Sequence, residues 1–194
     1  MDKLAYLLGA LRDASTDIRV GKNYEVKIGQ KDVSWLQLLQ SIFKELFDYG
    51  GNISPHGEYS ILRLTKKTVV HRIVEVSEIE VPQHTWNTPS IIPTLPEASQ
   101  IDYVRGFWDA EGGLPKTTDQ TYISFDQMNR PALEFIRNIL VTKGFHPTNI
   151  TLTGKCWQFR LTRKKELARY FQEIGTFHSE KRNRYLKMLN ALFP

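Results

Sequence analysis

The stretch IDYVRGFWDAEGG, residues 101–113, repeats a pattern already present in LAYLLGALRDAS, residues 4–15. Both stretches place apolar residues at helical spacing around one glycine, Gly9 in the first and Gly106 in the second, 97 positions apart. They differ at their ends, because Glu111 falls on Ala14 when the stretches are aligned at this offset. The similarity indicates a duplicated structural unit. The difference means that the carboxylate of the second copy aligns with a residue that has no acidic group in the first.

The offset of 97 continues beyond these two stretches. Residues matched at this offset are Gln30 with Gln127, Arg63-Leu64-Thr65 with Arg160-Leu161-Thr162, and Lys67 with Lys164. Two copies of one ancestral unit explain these matches. We therefore expect a first repeat over residues 1–79, a linker over 80–98, which contains four prolines, and a second repeat over 99–194.

The composition is that of an ordinary globular protein with a basic surface. Hydrophobic residues make up 41% of the 194 positions, and the formal net charge is +5, which favours an anionic partner such as nucleic acid. The single cysteine, Cys156, excludes an internal disulfide and a cysteine-rich zinc site. No apolar run approaches the roughly 20 residues that span a bilayer, and the N-terminus lacks a signal pattern. We therefore expect an intracellular protein, cytoplasmic or organellar, with no membrane partner.

Periodicity predicts an α-β-β-α-β-β-α plan in each half. In the first half we expect helices over 3–13, 32–48 and 66–79, and strands over 16–20, 23–29, 52–55 and 58–65. In the second half we expect helices over 98–111, 130–143 and 164–174, and strands over 121–127, 148–154 and 156–162, with Gly112-Gly113 at the helix end. A further helix, 179–192, has no clear partner in the first half. The predicted fold class is α+β with antiparallel sheets.

Each predicted sheet has one apolar face and one polar face, as alternation along its strands indicates. The polar residues that we expect to contact nucleic acid are Arg19, Lys27 and Arg63 in the first half, and Lys155, Gln158 and Arg160 in the second. Two such faces side by side form a long basic saddle that can follow a major groove and contact base edges.

The repeated helix motif, the duplicated αββαββα plan and the basic strands resemble the monomeric, two-repeat LAGLIDADG homing endonucleases. The resemblance covers the chain from Leu4 to about Tyr170, and its most specific part is residues 103–113. It implies a monomer with pseudo-twofold symmetry whose sheets form a saddle on a long, asymmetric site in double-stranded DNA. It also implies Mg²⁺-dependent hydrolysis of phosphodiester bonds.

The resemblance assigns roles to particular residues. Glu111 matches a metal-binding, catalytic carboxylate at the end of the second motif. Gln30 and Gln127 match polar positions that border the active sites of the family. Lys165 matches a basic residue that follows the last strand and helps to polarise water or phosphate; Lys67 lies beside the corresponding position of the first repeat.

The first motif departs from the family pattern. Ala14 cannot bind a metal, and Ser15 replaces the usual glycine. In one interpretation, a helix shortened by one residue brings Asp13 into the catalytic, metal-binding place, although close packing of the two motif helices argues against it. In the other, the first site is lost.

These departures leave two functions open. The first is a homing endonuclease, with double-strand cleavage impaired or reduced to nicking if Ala14 replaces one carboxylate. The alternative is a nucleic-acid binder that does not cleave, either an RNA intron maturase or a domesticated DNA-binding protein.

Overall fold

A computed structural model of the chain describes residues 1–19, 21–80, 86–117 and 120–193. Val20, which was predicted to end the first strand, and residues 81–85 of the predicted linker lie outside the described residues. Within the described residues, no helix is both long enough and apolar enough to span a membrane.

The first repeat contains three α-helices and four strands. They are α1 (Lys3–Ala10), β1 (Ala14–Arg19), β2 (Asn23–Gln30), α2 (Val33–Phe47), β3 (Asn52–His56), β4 (Tyr59–Leu64) and α3 (Lys67–Ser77). A 3₁₀ turn, Leu11–Asp13, joins α1 to β1. The predicted first helix therefore ends earlier as an α-helix than expected, and β1 begins two residues earlier.

The second repeat follows the same order and adds one helix. Its elements are α4 (Glu97–Glu111), β5 (Gly112–Gly113), β6 (Ile123–Gln127), α5 (Arg130–Thr142), β7 (Thr151–Thr153), β8 (Cys156–Leu161), α6 (Lys164–Glu173) and α7 (Ser179–Leu192). A 3₁₀ turn, Ile92–Thr94, lies within the predicted linker. Gly112 is the C-cap of α4, in agreement with the expected helix end, but both glycines also pair with β6 as a short strand, which was not predicted.

Capping side chains fix where the helices begin. Asp2, Asp32 and Asn129 each accept a hydrogen bond of 3.1 Å from the backbone N–H three residues later, at the starts of α1, α2 and α5. Such caps satisfy backbone donors that have no partner within the helix. The helices then present their apolar faces to the sheets, where residues such as Val26 and Phe125 are fully buried.

Two four-stranded antiparallel sheets result, one in each repeat. Their strand orders are β1-β2-β4-β3 and β5-β6-β8-β7, so the second sheet repeats the topology of the first. This agrees with the predicted α+β class and with duplicated αββαββα units.

The two repeats meet along α1 and α4, which cross at their glycines. A Cβ atom on Gly9 would lie 2.6 Å from the backbone nitrogen of Phe107, and closer still to the carbonyl oxygen of Tyr103. A Cβ atom on Gly106 would collide in the same way with the carbonyl oxygen of Tyr6. Only glycine permits backbones to approach so closely, and this contact brings the C-terminal ends of both helices together.

Hydrogen bonds also join the two motifs. The tyrosine of the first motif bonds to an acidic residue of the second, and the tyrosine of the second bonds to a basic residue of the first. The hydroxyl of Tyr6 donates to Asp109 Oδ2 at 2.7 Å, and Nη2 of Arg12 donates to the hydroxyl of Tyr103 at 2.7 Å. Tyr6 and Tyr103 are 97 positions apart, as are Arg12 and Asp109. Both Arg12 and Asp109 are buried, and the tyrosine of the opposite repeat is one of the hydrogen-bond partners of each. Arg12 also donates to the carbonyl oxygen of Asn87, and Asp109 also accepts from Thr176 and Phe177.

Candidate functional site

Strand register identifies the residue of the first repeat that corresponds to Glu111. The first residue of β1 pairs with Ile28, and the first residue of β5 pairs with Phe125. These partners are 97 positions apart, whereas the first residues of the two strands are 98 apart. The residue immediately before β1 is Asp13, so Asp13 and not Ala14 occupies the place of Glu111.

A change of helix type compensates for the missing residue. The first motif ends in the 3₁₀ turn Leu11–Asp13, whereas α4 remains α-helical as far as Glu111. A 3₁₀ helix rises about 2.0 Å per residue and an α-helix about 1.5 Å, so three residues of the first advance as far as four of the second, about 6 Å. The close helix contact at Gly9 therefore does not exclude Asp13 from this place.

Asp13 is half-buried beside the end of β2. Gln30, the last residue of β2, donates a hydrogen bond from its side-chain amide to Asp13 Oδ2. Burial raises the pKa of Asp13 to about 6, while the bond from Gln30 and the charge of Lys181 act in the opposite direction. The structure thus brings together two of the residues that the sequence singled out.

Glu111 is also half-buried, and it makes no hydrogen bond or ion pair with the described residues. Burial and then the nearby charge of Asp13 raise the pKa of Glu111 to about 7. Lys181 and Arg12 lower this pKa, and Asp126 raises it. Two carboxylates from different repeats therefore repel one another at the junction of α1 and α4, which is a site where a cation would be stabilised.

Gln127 ends β6 as Gln30 ends β2, but its hydrogen bonding differs. Its side-chain oxygen accepts from the backbone N–H of Met128 at 2.7 Å. Its side-chain amide nitrogen is buried and has no partner within the described residues. The two glutamines therefore have equivalent positions in the sheets, but only Gln30 bonds to a carboxylate of the site.

Within the described residues, neither Lys67 nor Lys165 bonds to the two carboxylates, and neither is among the charges that act on their pKa values. Lys67 is exposed at the start of α3, and its Nζ atom lies 5.0 Å from the centre of the Tyr24 ring. Lys165 is exposed in the first turn of α6, and across the described ranges it makes no hydrogen bond or ion pair. The cations that act on the pKa of Glu111 are instead Lys181 and Arg12.

Sequence reasoning missed three charged residues near this site: Arg12, Asp126 and Lys181. Asp126 occupies the strand position of Gly29 in the first repeat, so a comparison of the halves gave no signal for it. Lys181 belongs to α7, which has no counterpart in the first half. The signal for Arg12 was its place in the motif, where it precedes Asp13 and aligns with Asp109 of the second motif.

The polar face of the first sheet has fixed ion pairs. Lys27 and Arg63 are direct neighbours across β2 and β4, and both pair with Glu25, at 3.0 and 2.8 Å. Arg19 pairs with Asp17 at 3.0 Å near the end of β1. The predicted cations therefore share one face, but acidic residues partly neutralise them.

The polar face of the second sheet carries a chain of hydrogen bonds. Gln158 donates to Asp126, and Nε of Arg160 donates to the side-chain oxygen of Gln158 at 2.7 Å. The guanidinium of Arg160 also lies 4.2 Å from the centre of the Tyr122 ring. Lys155 is exposed in the turn between β7 and β8, next to these side chains in sequence but without a bond to them.

The carboxylates of the site suit a hard divalent cation but do not complete its coordination. Among the described residues, no group of three or more His, Cys, Asp or Glu side chains could hold a metal ion. Mg²⁺ commonly takes one or two carboxylates from a protein and fills its other positions with water and phosphate oxygens. Asp13 and Glu111 fit that pattern, with Gln30 orienting the first carboxylate.

Comparisons with known proteins agree with this architecture. A family model described as a LAGLIDADG-like domain matches residues 99–175. The homing endonuclease I-ApeI of Aeropyrum pernix is 31% identical to the chain over 98% of this chain and 89% of that protein.

Solved structures share the fold at lower identity. The structure of I-DmoI in complex with DNA and Ca matches with a TM-score of 0.69 at 19% identity, covering 95% of this chain and 97% of that one. Full-length DUF199/WhiA from Thermatoga maritima matches with a TM-score of 0.61 at 14% identity, covering 95% of this chain and 59% of that one. These two likenesses concern the fold alone.

Proposed function

Because this chain belongs to the LAGLIDADG homing endonuclease family, we propose that it binds one long, asymmetric site in double-stranded DNA as a monomer and hydrolyses a phosphodiester bond in each strand. The relative at 31% identity is itself a homing endonuclease, and its alignment covers 98% of this chain. Each repeat would contact one half-site, because the two repeats carry different side chains on their polar sheet faces.

The observation that carries the proposal is the pair of carboxylates at the junction of the repeats. Asp13 and Glu111 come from equivalent places, next to the glycine contact of α1 and α4, and they influence one another electrostatically. Half-buried acids with raised pKa values and no ion pair are unfavourable for stability, and such groups are concentrated at functional sites. One acid in each repeat matches the requirement of cutting two strands.

We propose Mg²⁺ as the cation of this site. Asp13 and Glu111 would bind it, and Gln30 would hold the carboxylate of Asp13 in one orientation. A bound divalent cation neutralises charge on a reacting phosphate and generates a nucleophilic hydroxide from water. Lys67 and Lys165 would act on the DNA backbone from the exposed starts of α3 and α6.

The proposed DNA contacts are the polar faces of the two sheets. Arg19, Lys27 and Arg63 are accessible on the first face, where their ion pairs hold them in defined directions. Lys155, Gln158 and Arg160 extend the surface into the second repeat. Cations that are oriented before binding lose less side-chain entropy when they contact phosphates or base edges.

The alternative, a binder that does not cleave, depended on Ala14 as the counterpart of Glu111. With Asp13 as the counterpart, that argument no longer applies. RNA as a ligand has no separate support among the described residues.

The test is to select duplexes that the protein binds from a random library and then incubate them with Mg²⁺ or Mn²⁺. We expect breaks in both strands at one position of the selected site, and no breaks with the Glu111→Gln variant. The control is Glu97→Gln, which changes an exposed glutamate at the opposite end of the same helix. Specific binding without breaks in either metal would refute the proposed cleavage.

A further inference from the structure

Helix α7 lies outside the duplicated unit, yet one of its side chains reaches the end of α4. The Nζ atom of Lys181 donates hydrogen bonds to the carbonyl oxygens of Trp108, Asp109 and Ala110, at 2.9, 2.8 and 3.2 Å. These three carbonyls form the last turn of the helix immediately before Glu111. Lys181, from a helix that is added to the duplicated unit, thus contacts the turn that holds a proposed catalytic carboxylate.

The chemistry of this contact is that of a helix C-terminus. The last carbonyls of an α-helix carry its negative pole, and most of them have no partner within the helix. Of the three carbonyls bonded to Lys181, that of Trp108 also accepts from the backbone N–H of Gly112. An ammonium group has three hydrogen atoms to donate, and Lys181 directs all three at carbonyl oxygens. While these bonds persist, it therefore has no hydrogen atom left to donate to a substrate.

Both repeats determine where Lys181 lies. Asp32, in the first repeat, accepts a hydrogen bond from the hydroxyl of Ser179 at 2.7 Å. Asp109, in the second repeat, accepts from the backbone N–H of Phe177 at 3.0 Å. Two buried carboxylates, one from each half, thus fix the segment that leads into α7.

The charge of Lys181 acts on the proposed site as well as on the helix. Burial lowers the pKa of Lys181 to about 8, against the opposing effect of Asp109, Asp13 and Glu111. In return, Lys181 lowers the pKa of both Asp13 and Glu111. One cation therefore interacts with the carboxylates of both repeats.

We infer that Lys181 is a positioning residue for DNA cleavage: it fixes the end of α4 behind Glu111 without contacting DNA. The inference rests on the proposed function of the two carboxylates. It makes α7 a part of the cleavage machinery, whereas recognition of the DNA sequence belongs to the sheets. Loss of Lys181 should therefore separate cleavage from binding.

The test compares three full-length variants, Lys181→Met, Lys181→Arg and Lys187→Met. Lys187 is an exposed lysine on the same helix and serves as the matched control. The first measurement is amide hydrogen exchange at Gly112, whose N–H donates to the Trp108 carbonyl, in protein free of metal and DNA. We expect exchange about tenfold faster in Lys181→Met and about unchanged in Lys187→Met, with Lys181→Arg closer to wild type.

The second measurement separates cleavage from binding on the selected duplex. In Mg²⁺, single-turnover cleavage by Lys181→Met should slow about tenfold or more, because small displacements of a catalytic group are costly. The Kd measured without metal should change by less than about threefold, and Lys181→Arg should recover most of the rate.

Three outcomes would overturn the inference: unchanged exchange and cleavage in Lys181→Met, a loss of binding as large as the loss of cleavage, or an Arg variant as slow as Met. A wild-type protein that binds but never cleaves refutes the proposed function instead. The exchange measurement then still decides whether Lys181 fixes the end of α4.

Discussion

The ends of α1 and α4 do the same structural task with different numbers of residues. From Gly106 to Glu111 the chain takes five steps, all α-helical, whereas from Gly9 to Asp13 it takes four and finishes in a 3₁₀ turn. Both routes deliver a carboxylate to the residue before the first strand of a sheet. The difference shows that the strand register preserves the site while the spacing in sequence does not.

The largest expected effect concerns the equivalence of the two acids. Asp13→Asn and Glu111→Gln should each slow double-strand cleavage by about 10²–10³-fold while binding persists, because each removes a carboxylate that would hold the cation that stabilises the transition state. Cleavage of each strand, followed by labelled duplex, is the measurement. Asp48→Asn, which changes an exposed acid, is the control. If the Asp13→Asn variant cleaved as fast as wild type, Asp13 and Glu111 would not be functionally equivalent.

The two glycines of the helix contact should contribute equally to stability, whereas the helix ends differ in structure. Gly9→Ala and Gly106→Ala should each lower the free energy of unfolding by roughly 2–4 kcal/mol, because a Cβ atom at either place collides with backbone of the other helix. Urea denaturation measures this. Gly29→Ala, where a Cβ atom would lie 3.4 Å from the Tyr59 ring, should change stability by only about 0.5 kcal/mol. A clear difference between the costs of the first two variants would contradict the symmetry.

Ala14→Asp tests which residue of the first repeat corresponds to Glu111. If Ala14 were the counterpart, the new acid would raise cleavage. We expect no gain and a loss of about 1–3 kcal/mol in stability, because Ala14 is a buried strand residue and a carboxylate there loses its hydration. Cleavage rates and denaturation of the purified variant distinguish the two results.

The last prediction concerns pH in the absence of metal. The pKa values of Asp13 and Glu111, about 6 and about 7, are raised above those of an unfolded chain. The folded state therefore holds protons that the unfolded state releases, so these groups stabilise the fold at low pH, and that stability is lost as pH rises from about 4 to 7.

The measurement compares wild type with the double variant Asp13→Asn, Glu111→Gln at several pH values. The stability of wild type relative to this variant should fall by about 1–2 kcal/mol across that range, a modest value because both acids are only half-buried. The comparison also cancels the contribution of His178 to the free energy of unfolding. The pKa of His178 is lowered to about 4, so its contribution changes with pH in the opposite direction. An unchanged difference would show that neither acid has a raised pKa.

Much of the fold could be predicted because periodicity and repetition report local structure directly. The alternation of Val26 and Ile28 with polar neighbours fixed the face of β2 before any contact was known. The order of helices and strands followed in both halves. The resemblance of residues 103–113 to a known motif then indicated how the halves meet.

The site was harder to predict, because its geometry depends on features that spacing does not encode. When the repeats are aligned at a constant offset, Ala14 corresponds to Glu111. Only the strand register reveals that Asp13 is the structural counterpart of Glu111. Gly112-Gly113 is too short to show alternation, so it was taken as a helix end. Lys181 approaches α4 from a distant part of the chain, and a repeat comparison has no partner for it.

The bonds from Tyr6 to Asp109 and from Arg12 to Tyr103 bear on the engineering of chimeric enzymes. A repeat moved into another protein would take one member of each pair with it and leave the other behind, so a buried charged group would lose one of its hydrogen-bond partners. A recombined enzyme should therefore inherit both pairs from one parent.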